Sequence, residues 1–354
     1  MSEFHQSDCQ KPDSELLFDQ CDPHRGTPAG ANLMRGRPQC RSRLRRRYGR
    51  LKEGTMDSSD LISHPAVVLA LAERVCPSLN GPSSFRLAAA LEALDAGLDL
   101  NDFEGLADVA VEIQKIDRQR VEHWGRVLEE SDVRLVSVLD DEYPTNLRMV
   151  HDHPPFLFVR GSMERADERA VAVVGTRKPS EEGLAAARDI AAKMAHLSIT
   201  VVSGMAIGID TAAHRGSLAA GGRTVAVLGS GLDRVYPASN RGLARSIERS
   251  GAVVSQFWPD MGPTRWSFPV RNIVTSGLSL GTVVVEAGPT SGARQQADHA
   301  LRHGKRLYLL RRLVSAQAWA REMADLPGVL AIDDIDQIVA DIEAEVMESD
   351  DVLI

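Results

Sequence analysis

Nine short apolar runs between residues 132 and 332 constrain this chain more than any other feature of its 354 residues. They read VRLVSVL, FLFVRG, AVAVVG, ITVVSG, TVAVLG, AVVSQF, TVVVEA, RLYLL and VLAI. Most are continuously apolar rather than alternating, the pattern of strands buried on both faces. Between them lie segments of helical length: EEGLAAARDIAAKMAHL, DTAAHRGSLAA, NRGLARSIERS and SGARQQADHALRHG. Strand and helix in alternation imply right-handed βαβ units and an α/β fold built on a doubly wound parallel sheet. DDIDQIVADIEAE closes the pattern as a capped amphipathic helix packed back on the sheet.

The strand-and-helix domain spans 132–345, with a tail at 346–354. Residues 56–131 read as a small helical subdomain. Val67, Val68, Leu71 and Val75 recur at helical spacing, FRLAAALEAL stops at Gly97, and DRQRVEHWGRVLEE places Val121, Trp124 and Leu128 on one face. Residues 1–55 read as a basic, disordered extension, with no apolar period and the run RGRPQCRSRLRRRYGRLK. Better-patterned sequence opens at Met56, so a true start at that residue is an alternative expectation. The extension holds 11 Lys and Arg against 7 Asp and Glu, leaving 30 against 42 for the rest. An acidic body argues against broad coating of nucleic acid. It leaves room for a local basic pocket, because screening confines charge effects to about 8–10 Å. Cys9, Cys21, Cys40 and Cys76 make no CxxC pair or Cys/His cluster, so neither a disulfide framework nor a metal site is expected. No run approaches the ~18 apolar residues of a membrane helix, and no secretory leader is visible. A cytoplasmic protein without membrane contact or cofactor is the expectation.

Open α/β sheets bind ligands at the carboxyl ends of their strands, so the informative residues are those that follow the strands. AVAVVG runs into Gly175-Thr176-Arg177-Lys178-Pro179-Ser180, and ITVVSG into Gly204-Met205-Ala206-Ile207-Gly208-Ile209-Asp210. TVAVLG leads to Gly229-Ser230-Gly231, and TVVVEA to Gly288-Pro289-Thr290-Ser291-Gly292. Glycines let a ligand approach the backbone, and each loop precedes a helix whose first N–H groups face anions. Arg177 and Lys178 add charge, so the edge reads as a phosphate site. Missing Gly-x-Gly-x-x-Gly and GxxxxGK[ST] patterns weigh against a dinucleotide fold and an ATPase loop. WPDMGPTRWSFPVRN, read as a loop, interleaves Trp258, Trp266 and Phe268 with Arg265 and Arg271. Aromatic faces stack on bases and arginines neutralise the backbone, the combination that binds single-stranded nucleic acid. The alternative is that Trp258 and Phe268 cap the sheet core. Asp210 and His214 share one helix face. They read as a cap and a structural hydrogen bond, with a catalytic pair as the alternative. Glu286 reads either as a general base or as an acceptor for backbone N–H groups of a neighbouring loop. No nucleophile elbow appears, so no catalytic residue is expected and the protein reads as a non-enzyme.

Taken in order, these motifs resemble the DNA-processing protein A family (DprA, also called Smf). The carrying residues are Asp141-Glu142-Tyr143-Pro144, His153-Pro154-Pro155 with Phe156 to Gly161, Val174-Gly175-Thr176-Arg177 with Ser180, and Ser203 to Asp210 with Ala213-His214-Arg215-Gly216. Gly229-Ser230-Gly231 with Tyr236-Pro237 follow, then Phe268-Pro269-Val270-Arg271-Asn272, Gly277-Leu278-Ser279, and Val285-Glu286-Ala287 with Ser291-Gly292. The match covers roughly residues 133–310. It implies an extended Rossmann-like domain that binds single-stranded DNA, dimerises, protects incoming DNA in transformation and helps load a RecA-type recombinase. The resemblance puts Arg177, Arg265, Phe268 and Arg271 in the DNA pocket. With the strand-end loops, the expected binding set is Arg177, Lys178, Ser180, Gly204, Gly208, Arg265, Phe268, Arg271, Asn272, Ser291 and Gly292. Ile207 and Ile273 stand where the family commonly has arginine, two expected losses of charge at the pocket rim. Arg311-Arg312 replaces the usual Pro-Gly, about forty residues remain where many members carry a winged helix, and the N-terminal helices do not match the family's small domain. Two other functions are carried forward. One is a phosphoribohydrolase-like enzyme using Arg177 and Glu286, although its Pro-Gly-Gly-x-Gly-Thr-x-x-Glu pattern is missing. The other is a DNA- or nucleotide-sensing regulatory partner in a defence or toxin system, motivated by the altered rim and basic extension.

Overall fold

Each of the nine apolar runs forms a strand in the computed structural model, which describes residues 64–76 and 82–342. The basic extension with Cys9, Cys21 and Cys40, the proposed start at Met56, and the tail at 346–354 lie outside the described residues. The strands are β1 (Arg134–Ser137), β2 (Phe156–Gly161), β3 (Ala170–Val174), β4 (Thr200–Ser203), β5 (Thr224–Val227), β6 (Ala252–Ser255), β7 (Gly281–Val284), β8 (Arg306–Leu310) and β9 (Val329–Ile332). They make one sheet in the order β1-β2-β6-β5-β4-β3-β7-β8-β9. β2 runs antiparallel to both β1 and β6, and every other pair is parallel. The mostly parallel α/β fold is therefore present, with an antiparallel edge.

The helices are α1 (Pro65–Val75), α2 (Pro82–Asp95), α3 (Ala107–Ile113), α4 (Arg118–Glu130), α5 (Thr145–Arg148), α6 (Glu181–His196), α7 (Ile209–Ala219), α8 (Arg241–Ser250), α9 (Ser267–Gly277), α10 (Gly292–Arg302), α11 (Arg311–Ala316) and α12 (Ala318–Ala324). Residues 335–342 add a last helical turn pair. Continuous apolar strands are explained by two cores. In β3, Ala170 and Ala172 face one hydrophobic cluster while Val171 and Val173 face the other. Residues of α1 and α2 belong to the first cluster, so the N-terminal helices share a core with the sheet. Trp258 joins that core. Its ring stacks on Trp124 of α4 at 4.9 Å between centroids and tilts against Phe156 and Phe158. Cys76 is a free buried thiol whose pKa burial pushes up to about 12, which keeps it unreactive.

Topology places the site. From β3 the chain steps through β4, β5 and β6 in one direction and later through β7, β8 and β9 in the other. The order therefore reverses between the neighbours β3 and β7, and the loops leaving their carboxyl ends part to open a crevice.

Candidate functional site

A cleft of about 630 Å³ opens at that point, lined by the loops after β3 and β4, by α9 and by the start of α10. Nine of the eleven expected binding residues line it: Arg177, Lys178, Gly204, Arg265, Phe268, Arg271, Asn272, Ser291 and Gly292. Ser180 and Gly208 do not. The Ser180 side chain caps α6, accepting from the Gly183 N–H at 3.0 Å, and its hydroxyl donates to Glu286 Oε2 at 2.8 Å. Gly208 has φ +88°, and a Cβ there would collide with the Thr176 carbonyl. A glycine is required there by the turn into α7.

WPDMGPTRWSFPVRN is not one loop. From Ser267 it is helical, so Phe268, Arg271 and Asn272 stand on α9. Pro269 hides the helix in the sequence, yet it falls in the first turn, where an N–H has no intrahelical partner to lose. Helical spacing then turns Phe268, Arg271, Asn272 and Thr275 toward the cleft together.

The cleft's cations are of two kinds. Arg177, Lys178 and Arg265 are exposed and meet no carboxylate among the described residues. The Arg177 guanidinium lies 5.4 Å from the centroid of the half-buried Phe268 ring, a cation–π contact. Arg271 differs: it is 7% exposed. Its Nη1 donates to the Val227 carbonyl at 3.0 Å, and a Cβ on Gly204 would occupy the space of its guanidinium. Burial lowers its pKa, while Asp210 opposes that shift. Asp210 is buried as well, and burial raises its pKa against the pull of Arg271. Arg271 thus forms part of the buried foundation, and the exposed arginines form the rim.

Asp210 does not cap its own helix. The Ncap of α7 is Gly208, and the Asp210 carboxylate reaches back to accept from the N–H groups of Gly204 at 3.1 Å and Ala206 at 3.3 Å. It holds the loop after β4 in shape. His214 makes the expected structural bond, Nδ1 to Thr224 Oγ1 at 2.7 Å. Because the Thr224 hydroxyl donates to the Val201 carbonyl at 2.7 Å, its oxygen accepts from Nδ1–H. Glu286 takes the second of its two expected roles. Its carboxylate accepts from the Ser180 N–H at 3.2 Å and from the Ser180 hydroxyl, and it lines a neighbouring cavity rather than the cleft.

Neither isoleucine lines the cleft. Ile207 is 47% exposed on the loop after β4, whereas Ile273, on α9, is 9% exposed. The expected loss of rim charge at residue 273 thus concerns a position whose isoleucine side chain is largely buried. Sequence reading also missed Gln296. It lies on the cleft side of α10, 2% exposed, with neither amide oxygen nor amide nitrogen hydrogen-bonded within the protein. Its signal was present, since Gln296 stands four residues beyond Gly292 and so on the same helix face as that cleft residue. Outside the cleft, folding also brings together one group of potential metal ligands that the sequence did not reveal. Asp152, His299 and His303 bring one ligand atom each to within 4.8 Å of one another.

The DNA recombination-mediator protein A family model matches residues 134–338. Over 174 residues the chain is 37% identical to DNA processing protein DprA of Streptococcus pneumoniae, covering 49% of this chain and 61% of that protein. The chain therefore spans less than two thirds of that relative's length. The X-ray structure of DprA from Streptococcus pneumoniae is similar with a TM-score of 0.60 at 26% identity, covering 80% of this chain and 95% of that one. DNA processing protein A from Helicobacter pylori, solved to describe its single-stranded DNA binding mode, shares the fold with a TM-score of 0.54 at 23% identity, covering 61% of this chain and 98% of that one. With more than half of its residues matched by the family model, the chain belongs to the DNA recombination-mediator protein A family.

Proposed function

We propose that this chain binds single-stranded DNA in the cleft at the β3/β7 reversal and acts in DNA uptake or recombination by holding the strand, not by breaking bonds. The observation that carries the reading is the pairing of Arg177 with the Phe268 ring across an open, cation-rimmed cleft. A base entering there stacks on the ring, and its flanking phosphates meet Arg177, Lys178, Arg265 and the N-terminus of α10. Duplex DNA keeps its bases paired and stacked, so it cannot offer that face. The Helicobacter pylori relative's single-stranded DNA binding supports the same ligand class. In this reading the protein protects the strand and passes it to a RecA-type recombinase, works as a homodimer and resides in the cytoplasm. Among the described residues no helix is long and apolar enough to cross a membrane.

Fluorescence anisotropy with a labelled oligonucleotide tests the site. In the Arg177→Ala/Arg265→Ala double variant, affinity falls and the slope of log K against log salt flattens by about 1.4, at about 0.7 per lost single-strand contact. Wild-type affinity and slope in that variant would refute the cleft as the binding site.

A further inference from the structure

We propose that Asp152, His299 and His303 form a binding site for a divalent transition cation of the zinc class. His299 lies on α10 and His303 is its C-terminal cap residue, so a spacing of four puts both imidazoles on one side. Asp152 comes from the segment between α5 and β2, brought over by tertiary packing. One ligand atom from each residue lies within 4.8 Å of the other two. Tetrahedral ligands at about 2.1 Å from zinc stand about 3.4 Å apart, so closing the set takes side-chain rotation and no backbone change.

Burial and outer contacts fit a held ligand set. The His303 side chain is 1% exposed and Asp152 is 15% exposed. The second ring nitrogen of His303, Nδ1, lies 3.0 Å from Ser276 Oγ on α9. Metal-bound histidines characteristically hand their other N–H to such an acceptor, which fixes the ring. Two imidazoles and one carboxylate suit zinc rather than magnesium or calcium, which prefer all-oxygen shells. His151 is the available fourth ligand, with its Nε2 4.0 Å from Asp152 Oδ2 and its ring centroid 5.7 Å from that of His303.

Two contacts must yield. His303 Nε2 is 2.7 Å from Asp152 Oδ1, and the ion takes the place of the proton between them. Arg302 donates to His299 Nδ1 at 3.1 Å, and its charge opposes a cation. With the ion bound, the C-terminal ends of α9 and α10 are tied to the segment before β2. The N-terminal ends of the same two helices line the cleft, about 16 Å away along α10 at 1.5 Å per residue.

The full chain, stripped with a chelator, is titrated with Zn²⁺ by calorimetry and with Co²⁺ by visible absorption. We expect one ion per chain and a tetrahedral cobalt spectrum. The His299→Ala/His303→Ala double variant binds at least about tenfold more weakly, and Arg302→Gln binds severalfold more tightly. His299→Ala alone, which removes the side-chain hydrogen bond from the exposed Arg302, should keep the metal-free melting temperature while losing affinity. No stoichiometric uptake by the wild type, or uptake undiminished in the double variant, overturns the proposal. Neither readout involves DNA.

Discussion

The two edges of the parallel sheet spend their arginines differently. At the amino edge, Arg223 lies beside the start of β5 and makes a two-pronged pair with Asp167, Nε to Oδ1 and Nη2 to Oδ2, both 2.7 Å. Thr200, at the start of β4, also donates to Asp167 at 3.1 Å, and Glu164 sits 3.2 Å from Arg223 Nη1. There Arg223, Asp167 and Glu164 hold one another. At the carboxyl edge, Arg177, Lys178 and Arg265 have no acid partner among the described residues, and the edge is open. An arginine held by carboxylates supports the fold, whereas an arginine left without one is available to an external anion. Residue type does not separate the two edges; the acids placed around the arginines do.

Substitutions should divide along that line. Arg223→Met leaves the buried Asp167 carboxylate without its partner and should cost about 3–5 kcal/mol of stability. A urea titration reads this, and DNA affinity of the folded fraction should be unchanged. Phe268→Ala should do the opposite, lowering oligonucleotide affinity by about 1–3 kcal/mol in anisotropy with little change in melting temperature. Acid separates the buried foundation from the rim. Burial holds His214 at about 3, below its ordinary 6.5, so the unfolded chain binds a proton there that the folded chain refuses. That stability is complete above about pH 6.5 and is lost as pH falls toward 3, by up to about 1.4 kcal/mol per pH unit. Urea midpoints at successive pH values measure it, and His214→Gln should flatten the slope. The smallest effect concerns the rim. Ile207→Arg adds one exposed cation and should steepen the salt slope by about 0.7. Ile273→Arg should instead cost stability, because it puts a charged group where an isoleucine is only 9% exposed.

The strands were legible because burial on both faces leaves runs such as AVAVVG with no polar interruption. The loops were legible because a sheet of this class keeps its ligand side at the carboxyl ends. What escaped depended on partners distant in sequence. Ser180 and Arg177 stand in one loop and look equivalent, yet Glu286 claims Ser180 while no carboxylate among the described residues claims Arg177. Arg271 reads as a surface cation until Gly204 and Asp210 enclose it. Pro269 breaks the apolar period that marks other helices, so α9 read as a loop. Gln296 and the His299–His303 pair carry a helical spacing, but their meaning comes from α9 and from Asp152, which folding brings alongside.

Photochemical crosslinking of a labelled single strand to the full chain, with the attachment points mapped by mass spectrometry, tests the central claim most directly. Attachment is expected within residues 265–272, centred on Phe268, competed away by unlabelled single strands and lost in Arg177→Ala/Phe268→Ala. Attachment confined to the basic stretch of residues 35–52, with none at the cleft, would contradict it.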